Sequence, residues 1–182
     1  MKTTGKLNVK SAVARVADRF GLALPSDPEA LEKSFTEPLK RNAFFLAFIP
    51  SLAFFRISVP TLNLRECHVD IPFSWRTQNP FKSIYFAAQS AAAELSTGAL
   101  VLRAIAAHPS MSMLVVKMSA EFSKKAKSDV RFICRDGEAI HAAAVRALAG
   151  ETVNVTATAI GQMADGTEVS RFTFEWALKI KS

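Results

Sequence analysis

A single carboxylate lies in a long stretch of sequence that otherwise carries no charge. Between Lys82 and Arg103 the only charged residue is Glu94, and alanine and other small residues fill much of the interval. Burying a carboxylate is costly unless it is paired, and partial burial raises its pKa towards the range of a general base. Glu94 is therefore a candidate catalytic residue; the alternative is a helix-surface glutamate that meets solvent or an arginine.

Asn79 and Pro80 precede this stretch, and two interpretations fit them. Asn is a favoured N-cap and Pro a favoured first helical residue, so the pair predicts the start of a helix. The first N–H groups of a helix lack backbone partners, and together with the helix dipole they stabilise negative charge that develops on a carbonyl oxygen. The same position could therefore serve chemistry as well as capping.

Motifs for other kinds of chemistry are missing from the sequence. His68, His108 and His141 are isolated, with no HxxxH or CxxC pattern, so zinc binding is not expected. There is no GxSxG nucleophile elbow, and neither GxxxxGKS/T nor GxGxxG indicates a nucleotide site. The sequence predicts neither a metal nor a cofactor.

The elements around Glu94 predict an α+β fold. A solvated helix carries charge on its outer face, so the uncharged stretch predicts one long helix, Tyr85–Ala107, that is buried around most of its circumference. Hairpin signals such as Asp165-Gly166 favour an antiparallel sheet, and a short helix is expected over Asp136–Ala149. Apolar alternation predicts strands within 56–73 and over Met111–Ser123, Ser128–Arg135, Thr152–Ile160 and Val169–Ile180.

Residues 1–55 predict a helical extension that precedes one domain over 56–182. An amphipathic helix is expected over Leu7–Phe20, and Ser26-Asp27-Pro28-Glu29 predicts the start of a second one that runs to about Lys40. Asn42–Phe55 predicts helix on both sides of Pro50. This segment is too short to span a bilayer. Its phenylalanines could pack in the core, line a lipid-sized groove or contact a membrane peripherally; they are Phe44, Phe45, Phe48, Phe54 and Phe55.

Composition narrows the class of partner. The 182 residues carry a formal net charge of +7, which suits an anionic partner such as a lipid surface or the phosphates of coenzyme A or a carrier protein. No dense basic run with interleaved aromatics is present, so nucleic-acid binding is not expected. Cys67 and Cys134 lie far apart in the sequence and predict free thiols in a reduced, cytoplasmic protein. Neither a signal peptide nor a transmembrane segment is predicted.

The run from Asn79 to Ala88, followed by Glu94, resembles the hotdog thioesterases of the phenylacetic-acid-pathway type. Those proteins carry a loop Asn, a His-Gly-Gly that begins six residues later, and an Asp or Glu nine residues after the His. Asn79, Tyr85 and Glu94 reproduce both intervals. By this resemblance the fold is a hotdog, an antiparallel sheet wrapped around a long central helix.

The chain looks closer still to the domain-of-unknown-function 4442 group within that superfamily. That group has an N-terminal helical segment, a phrase like W-R-x-x-N-P before the helix, and a short helix between later strands. Trp75–Pro80 and Asp136–Ala149 match these features. The resemblance covers roughly Asn42–Lys181.

The resemblance also implies a function and a site. The substrate would be an acyl-CoA or acyl-carrier-protein thioester, and Glu94 would be the general base or nucleophile. Asn79 would position the attacking water or the thioester. The protein would form a homodimer or homotetramer, in which a site combines Asn79 of one subunit with Glu94 of another.

Four further residues would bind substrate by the same resemblance. Backbone amides near Tyr85 and Phe86 would polarise the thioester carbonyl, and Ser112 falls where some relatives place a helper hydroxyl. Here Tyr85 replaces the family's His, and Phe86-Ala87 replaces Gly-Gly. Since glycine lets a backbone approach a carbonyl closely, the alternative function is a hotdog protein that binds acyl-CoA, fatty-acyl groups or lipid without catalysis.

Overall fold

A computed structural model describes residues 24–181, and it begins with three short helices. They are α1 (Pro28–Thr36), α2 (Pro38–Phe48) and α3 (Pro50–Phe54), each with proline in its first turn. Asp27 caps α1, because its Oδ2 accepts from the Ala30 N–H at 2.7 Å. The helix predicted to continue to Lys40 instead breaks at Glu37, which is extended as residues before proline tend to be. The helix predicted over 7–20 lies outside the described residues.

Six strands form one antiparallel sheet in the order β1-β2-β4-β5-β6-β3. The β5–β6 hairpin turns at Asp165-Gly166 as predicted, with Gly166 at a φ of +81° that glycine adopts easily. The strands and two further helices confirm the predicted α+β fold. Their bounds are β1 (Ser58–Leu62), β2 (Cys67–Ile71), α4 (Phe86–Ile105), β3 (Met111–Phe122), β4 (Val130–Cys134), α5 (Gly137–Leu148), β5 (Val153–Met163) and β6 (Glu168–Ile180).

The central helix α4 is buried along most of its length, as its lack of charge predicted. It packs mainly on β2, β4 and β5, with α5 beside it, and it hardly reaches β3. Alanines on its inner faces, including Ala88, Ala92, Ala93 and Ala99, are fully buried and allow the close approach of the sheet. The sheet therefore wraps around α4 in the manner of a hotdog fold.

The capping role predicted for Asn79-Pro80 is wrong, whereas the helix predicted over Tyr85–Ala107 is confirmed at Phe86–Ile105. The helix begins at Phe86, and residues 79–84 form a loop that is closed by a β-bridge between Gln78 and Ile84. Two backbone bonds hold this loop, from the Ile84 N–H to Ala126 O at 2.8 Å and from the Tyr85 N–H to Thr77 O at 2.6 Å. These partners outside the helix override the local capping preference of an Asn-Pro pair.

The strand β3 forms one edge of the sheet and leaves apolar side chains open. Met118 pairs in register with the buried Phe174, so the two side chains share the inner face, yet Met118 is 49% exposed. Phe122 is equally exposed, and Leu114 on the same strand is 64% exposed. A long exposed apolar edge strand is a ready template for pairing with another chain.

The two cysteines, distant in the sequence, are opposite each other in the sheet. Cys67 on β2 is the register partner of Cys134 on β4, and both are fully buried free thiols. Burial raises the pKa of both thiols, that of Cys134 to about 12. They therefore pack as small apolar residues.

Candidate functional site

Glu94 is half-buried in the middle of α4 and has no polar partner for its carboxylate among residues 24–181. It accepts no side-chain hydrogen bond and joins no ion pair there, so the predicted alternative of an arginine partner does not hold within this part of one chain. Burial raises the pKa of the Glu94 carboxyl above its usual value. A partly desolvated, unpaired carboxylate is suited to accept a proton.

Gly98 and Trp176 shape the space around this carboxylate. A β-carbon built on Gly98 would lie 2.9 Å from Oε1 of Glu94 and 3.3 Å from the Trp176 ring. The Trp176 indole donates to Thr97 Oγ1 at 3.2 Å, and the Thr97 hydroxyl donates to the backbone oxygen of Glu94 at 3.0 Å. The glutamate therefore lies in the gap that glycine leaves, beside an indole fixed to the same helical turn.

Asn79 is built into the loop that precedes α4. Its Oδ1 accepts from the Phe81 N–H at 2.9 Å and from the Ser83 N–H and hydroxyl at 3.3 and 3.2 Å. Its Nδ2 has no partner within the described chain. The amide oxygen is thus committed to the loop, and the amide nitrogen is the part of Asn79 that could donate to a ligand.

The first turn of α4 offers two backbone donors. The Tyr85 N–H is bonded to Thr77 O, whereas the N–H groups of Phe86 and Ala87 have no partner among residues 24–181. The rings of Tyr85 and Phe86 lie edge to face at 4.8 Å, and both are exposed, Phe86 by 57%. The free donors are therefore flanked by an aromatic pair where the thioesterase pattern has His and Gly.

A 350 Å³ cavity joins this helix start to a basic loop. Asn79 and Phe86 line one side of it, and Phe122, Lys124 and Lys125 line the other. The Lys125 ammonium also lies 5.8 Å from the centre of the exposed Phe81 ring. The cavity can hold an anionic group beside aromatic surface.

Ser112 lies at the opposite end of α4. It lines a 460 Å³, mostly apolar cavity together with Leu31, Leu102 and Met113, and its hydroxyl donates to Lys179 O at 3.2 Å. A helix of 20 residues is about 30 Å long. Within one chain, Ser112 is therefore remote from Asn79 and Phe86.

Within one chain the predicted residues fall into separate groups. Asn79 and Phe86 share the 350 Å³ cavity, but Glu94 does not line it. Glu94 follows Phe86 by eight positions along α4, which corresponds to about 12 Å. Within one chain, Glu94 is therefore separate from the group formed by Asn79 and the helix start.

The sheet wrapped around α4 defines the chain as a hotdog-fold protein, and comparisons with known proteins agree. The model of the family "domain of unknown function (DUF4442)" matches residues 41–178, so the chain belongs to this family. A search of curated proteins finds no match.

Solved structures share the fold at low sequence identity. A Pseudomonas aeruginosa protein of unknown function, named a "probable thioesterase", is 20% identical with a TM-score of 0.68, over 87% of this chain and 99% of its own. A Chlorobaculum tepidum protein of unknown function is 12% identical with a TM-score of 0.69, over 86% of this chain and 98% of its own. A Haemophilus influenzae thioesterase is 8% identical with a TM-score of 0.55, over 74% of this chain and 86% of its own.

Several residues of the site carry no recognisable sequence pattern. Trp176 reaches Glu94 from the last strand, and Lys124 and Lys125 reach the helix start from the loop after β3, so only the tertiary fold brings them together. Gly98 is one of the small residues of the uncharged stretch. Its position four residues after Glu94, one helical turn away, was the available clue to its role.

Proposed function

We propose that the protein is a homodimeric thioesterase that hydrolyses acyl-CoA. The observation that carries this proposal is Glu94, a half-buried carboxylate on the central helix of a hotdog fold that has no partner among residues 24–181. The thioesterase names of two structural neighbours agree with it.

The residues of the site support a hydrolytic step. Glu94 accepts a proton from a water molecule as the water oxygen attacks the thioester carbonyl carbon. The N–H groups of Phe86 and Ala87 and the Nδ2 of Asn79 donate to the oxyanion that forms. The C–S bond then breaks, the thiolate takes up the proton held by Glu94, and a carboxylic acid and free CoA thiol leave.

The proposed dimer forms through the open edge of the sheet. Pairing two β3 strands in antiparallel fashion would cover Leu114 and Met118 and extend the sheet across both subunits. The beginning of each β3 would then approach the end of the other. Ser112 of one subunit would come near Phe122 of the second, which lines the cavity with Asn79.

CoA is favoured over a carrier protein by the cavity at the helix start. Lys124 and Lys125 can contact the phosphates of CoA, and the exposed rings of Phe81 and Phe86 offer surface for a planar base. The phosphopantetheine of a carrier protein has a single phosphate and no base. A nucleotide-bearing thioester therefore uses more of this surface.

Hydrolysis is tested with a panel of acyl-CoAs of different chain length and a thiol-detecting dye. Wild-type protein should release CoA, and Glu94→Gln should lose at least about a hundredfold in kcat/KM, as expected for a lost general base. Glu29→Gln, which changes an exposed glutamate on α1, is the matched control and should retain full activity. Absence of turnover with every chain length, or full turnover by Glu94→Gln, contradicts the proposal.

The second candidate function is acyl-CoA or lipid binding without turnover. It is favoured by Phe86, whose exposed ring lies next to the free N–H groups where the related thioesterases have glycine. Native mass spectrometry of protein purified from cells separates the two candidates. A retained acyl ligand without thioesterase turnover supports the binder, whereas an empty protein that turns over acyl-CoA supports the enzyme.

A further inference from the structure

A buried arginine, Arg41, lies on α2, a helix that contributes no residue to the Glu94 site. Arg41 is only 8% exposed, yet it forms no ion pair with any carboxylate among residues 24–181. Its guanidinium donates only two long bonds, both 3.3 Å, to Oδ1 of the neighbouring Asn42. Burial lowers the pKa of this guanidinium. A charge in such a place is stabilised by an anion that binds beside it.

Arg41 lines a cavity that is open to solvent. The cavity has a volume of 310 Å³ and lies where α2, α3 and the start of β1 meet. Arg56, exposed and without an ion pair in the described part of the chain, also lines this cavity, and it lines a neighbouring 850 Å³ cavity that contains Asp70 and Asp129. No acidic residue is among those that line the 310 Å³ cavity, which are Arg41, Asn42, Leu46, Ala53, Arg56 and Ile57. Two arginines at one cavity match the charge of a phosphate group.

The surface around the cavity is apolar. No charged residue occurs from Asn42 to Phe55, and this segment presents several side chains to solvent. The exposed side chains are Leu46 (68%), Phe54 (50%), Phe48 (40%) and Ile49 (38%), and Leu39 at the start of α2 is 79% exposed. An apolar patch of this kind on a soluble fold marks an interaction surface.

Trp75 and Arg76 extend the apolar patch on the side of α3. Trp75 is 68% exposed and lies edge to face with Phe54 at 5.9 Å between ring centres. The Arg76 guanidinium lies 4.9 Å from the centre of the Trp75 ring. Tryptophan and arginine side chains of this type favour the boundary between the hydrocarbon and the headgroups of a bilayer.

We propose that this cavity binds the phosphate of an anionic phospholipid, and that the exposed side chains of α2 and α3 rest against the acyl region of the same bilayer. Leu46 connects the two parts, because it lines the cavity and is also exposed beside it. Within residues 24–181 no helix has the length and apolar character to cross a bilayer, so the contact is peripheral.

A second copy of the chain fits this surface less well than a lipid does. Symmetric docking of the patch on itself would bring the unpaired Arg41 and Arg56 of both copies together, and like charges repel. The patch also lies by β1, at the edge of the sheet opposite the β3 strand through which we propose dimerisation. Phosphate headgroups supply the negative charge that the cavity lacks.

The test is flotation with vesicles, using the whole chain. Wild-type protein should bind phosphatidylcholine vesicles that contain phosphatidic acid and bind pure phosphatidylcholine vesicles weakly. Each Arg→Gln substitution, Arg41→Gln or Arg56→Gln, should weaken binding about fivefold, and Leu46→Gln should weaken it on both vesicle types. Lys127→Gln, which removes the same charge from the loop before β4, is the control and should change binding less than about twofold.

A second arm separates the lipid from a free phosphate. Calorimetry with inorganic phosphate should show much weaker binding than the vesicles do. The proposal is overturned if phosphatidic acid vesicles are not bound, if Arg41→Gln and Arg56→Gln bind as wild type does, or if phosphate alone accounts for the affinity. Arg56→Gln changes an exposed residue, so it remains a valid test if Arg41→Gln does not fold.

Discussion

Oε1 of Glu94 lies 2.9 Å from the place where a side chain on Gly98 would begin. These two residues are one turn apart on α4, and the Trp176 ring closes the same space from β6. Any carbon added at Gly98 therefore pushes on the carboxylate first, since the tip of a glutamate is easier to move than an indole bonded to Thr97. The position of the proposed general base depends on the absence of a side chain at Gly98.

Gly98→Ala should reduce activity without reducing stability. Alanine is favoured over glycine inside a helix by about 0.5–1 kcal/mol, and this gain offsets the close contact with Trp176. The displaced carboxylate should lower kcat by roughly tenfold to a hundredfold, measured with the acyl-CoA that wild type hydrolyses best, beside thermal unfolding.

A double-mutant cycle shows whether the effect of Gly98→Ala passes through Glu94. In the Glu94→Gln background, Gly98→Ala should cause little further loss of the residual activity, because the group that it displaces is already gone. If the losses multiply independently, or if Gly98→Ala unfolds the protein, the role assigned to Gly98 is wrong.

The charge of Glu94 should make the native protein less stable at neutral pH. Burial raises the folded-state pKa of Glu94, so the folded state binds its proton more tightly than the unfolded chain does. Above the folded pKa the carboxylate is ionised and carries the cost of burial; as the pH falls through that pKa towards the unfolded value, protonation removes the cost. Glu94→Gln should therefore raise the Tm at neutral pH, and the gain should shrink on acidification.

The same titration should be visible in the kinetics. The acidic limb of the pH profile of kcat/KM should lie above the range of an ordinary glutamate, because the free enzyme needs ionised Glu94. Glu29→Gln should leave this limb unchanged and should not show the pH-dependent gain in Tm. A Glu94→Gln variant that is less stable than wild type at neutral pH would mean that the carboxylate has a favourable partner in the assembled protein.

Much of the architecture could be predicted because its signals are local. The lack of charge between Lys82 and Arg103 predicted a buried α4, and apolar alternation predicted the strands. The loop before α4 could not be predicted, since Asn79-Pro80 has the local preferences of a helix start, but backbone bonds from Tyr85 to Thr77 and from Ile84 to Ala126 hold residues 79–84 in a loop.

The surroundings of the candidate residues were the least predictable part. Trp176 is far from Glu94 in the sequence, and nothing in either segment indicates that they meet. The apolar pattern of residues 42–55 did not predict which phenylalanines are buried: Phe45 is fully buried, while Phe48 and Phe54 are exposed. Arg41 looks like an ordinary surface arginine until the packing of α2 and α3 buries it.

The two lysines at the helix start should affect substrate affinity more than turnover. Replacing Lys124 and Lys125 together by Gln should raise KM for acyl-CoA by about tenfold, since two contacts to phosphate are lost while Glu94 is untouched. The effect should be absent with an acyl-N-acetylcysteamine thioester, which has no phosphate. Lys127→Gln, on the same loop but outside the cavity, is the control; an equal rise in KM for both thioesters would contradict phosphate binding by Lys124 and Lys125.

The shared site predicts that two inactive variants restore each other. Glu94→Gln removes the base, and Asn79→Asp removes the Nδ2 donor while keeping an oxygen for the loop bonds to Phe81 and Ser83. A heterodimer of the two has one site with both Glu94 and Asn79 intact. Random exchange of subunits makes half of the dimers heterodimers, and one of the two sites in each heterodimer is intact. An equimolar mixture should therefore recover about a quarter of wild-type activity.

A variant that cannot dimerise through β3 is the control for this mixing experiment. Met118→Lys places a charge on the inner face of β3, where the partner subunit would cover it, so the variant should be a folded monomer by sedimentation and circular dichroism. Introduced into both inactive variants, it should abolish the recovery. If activity still recovers with Met118→Lys, the dimer contact lies elsewhere. If the dimers are intact and exchange subunits but no activity recovers, Asn79 and Glu94 act within one chain.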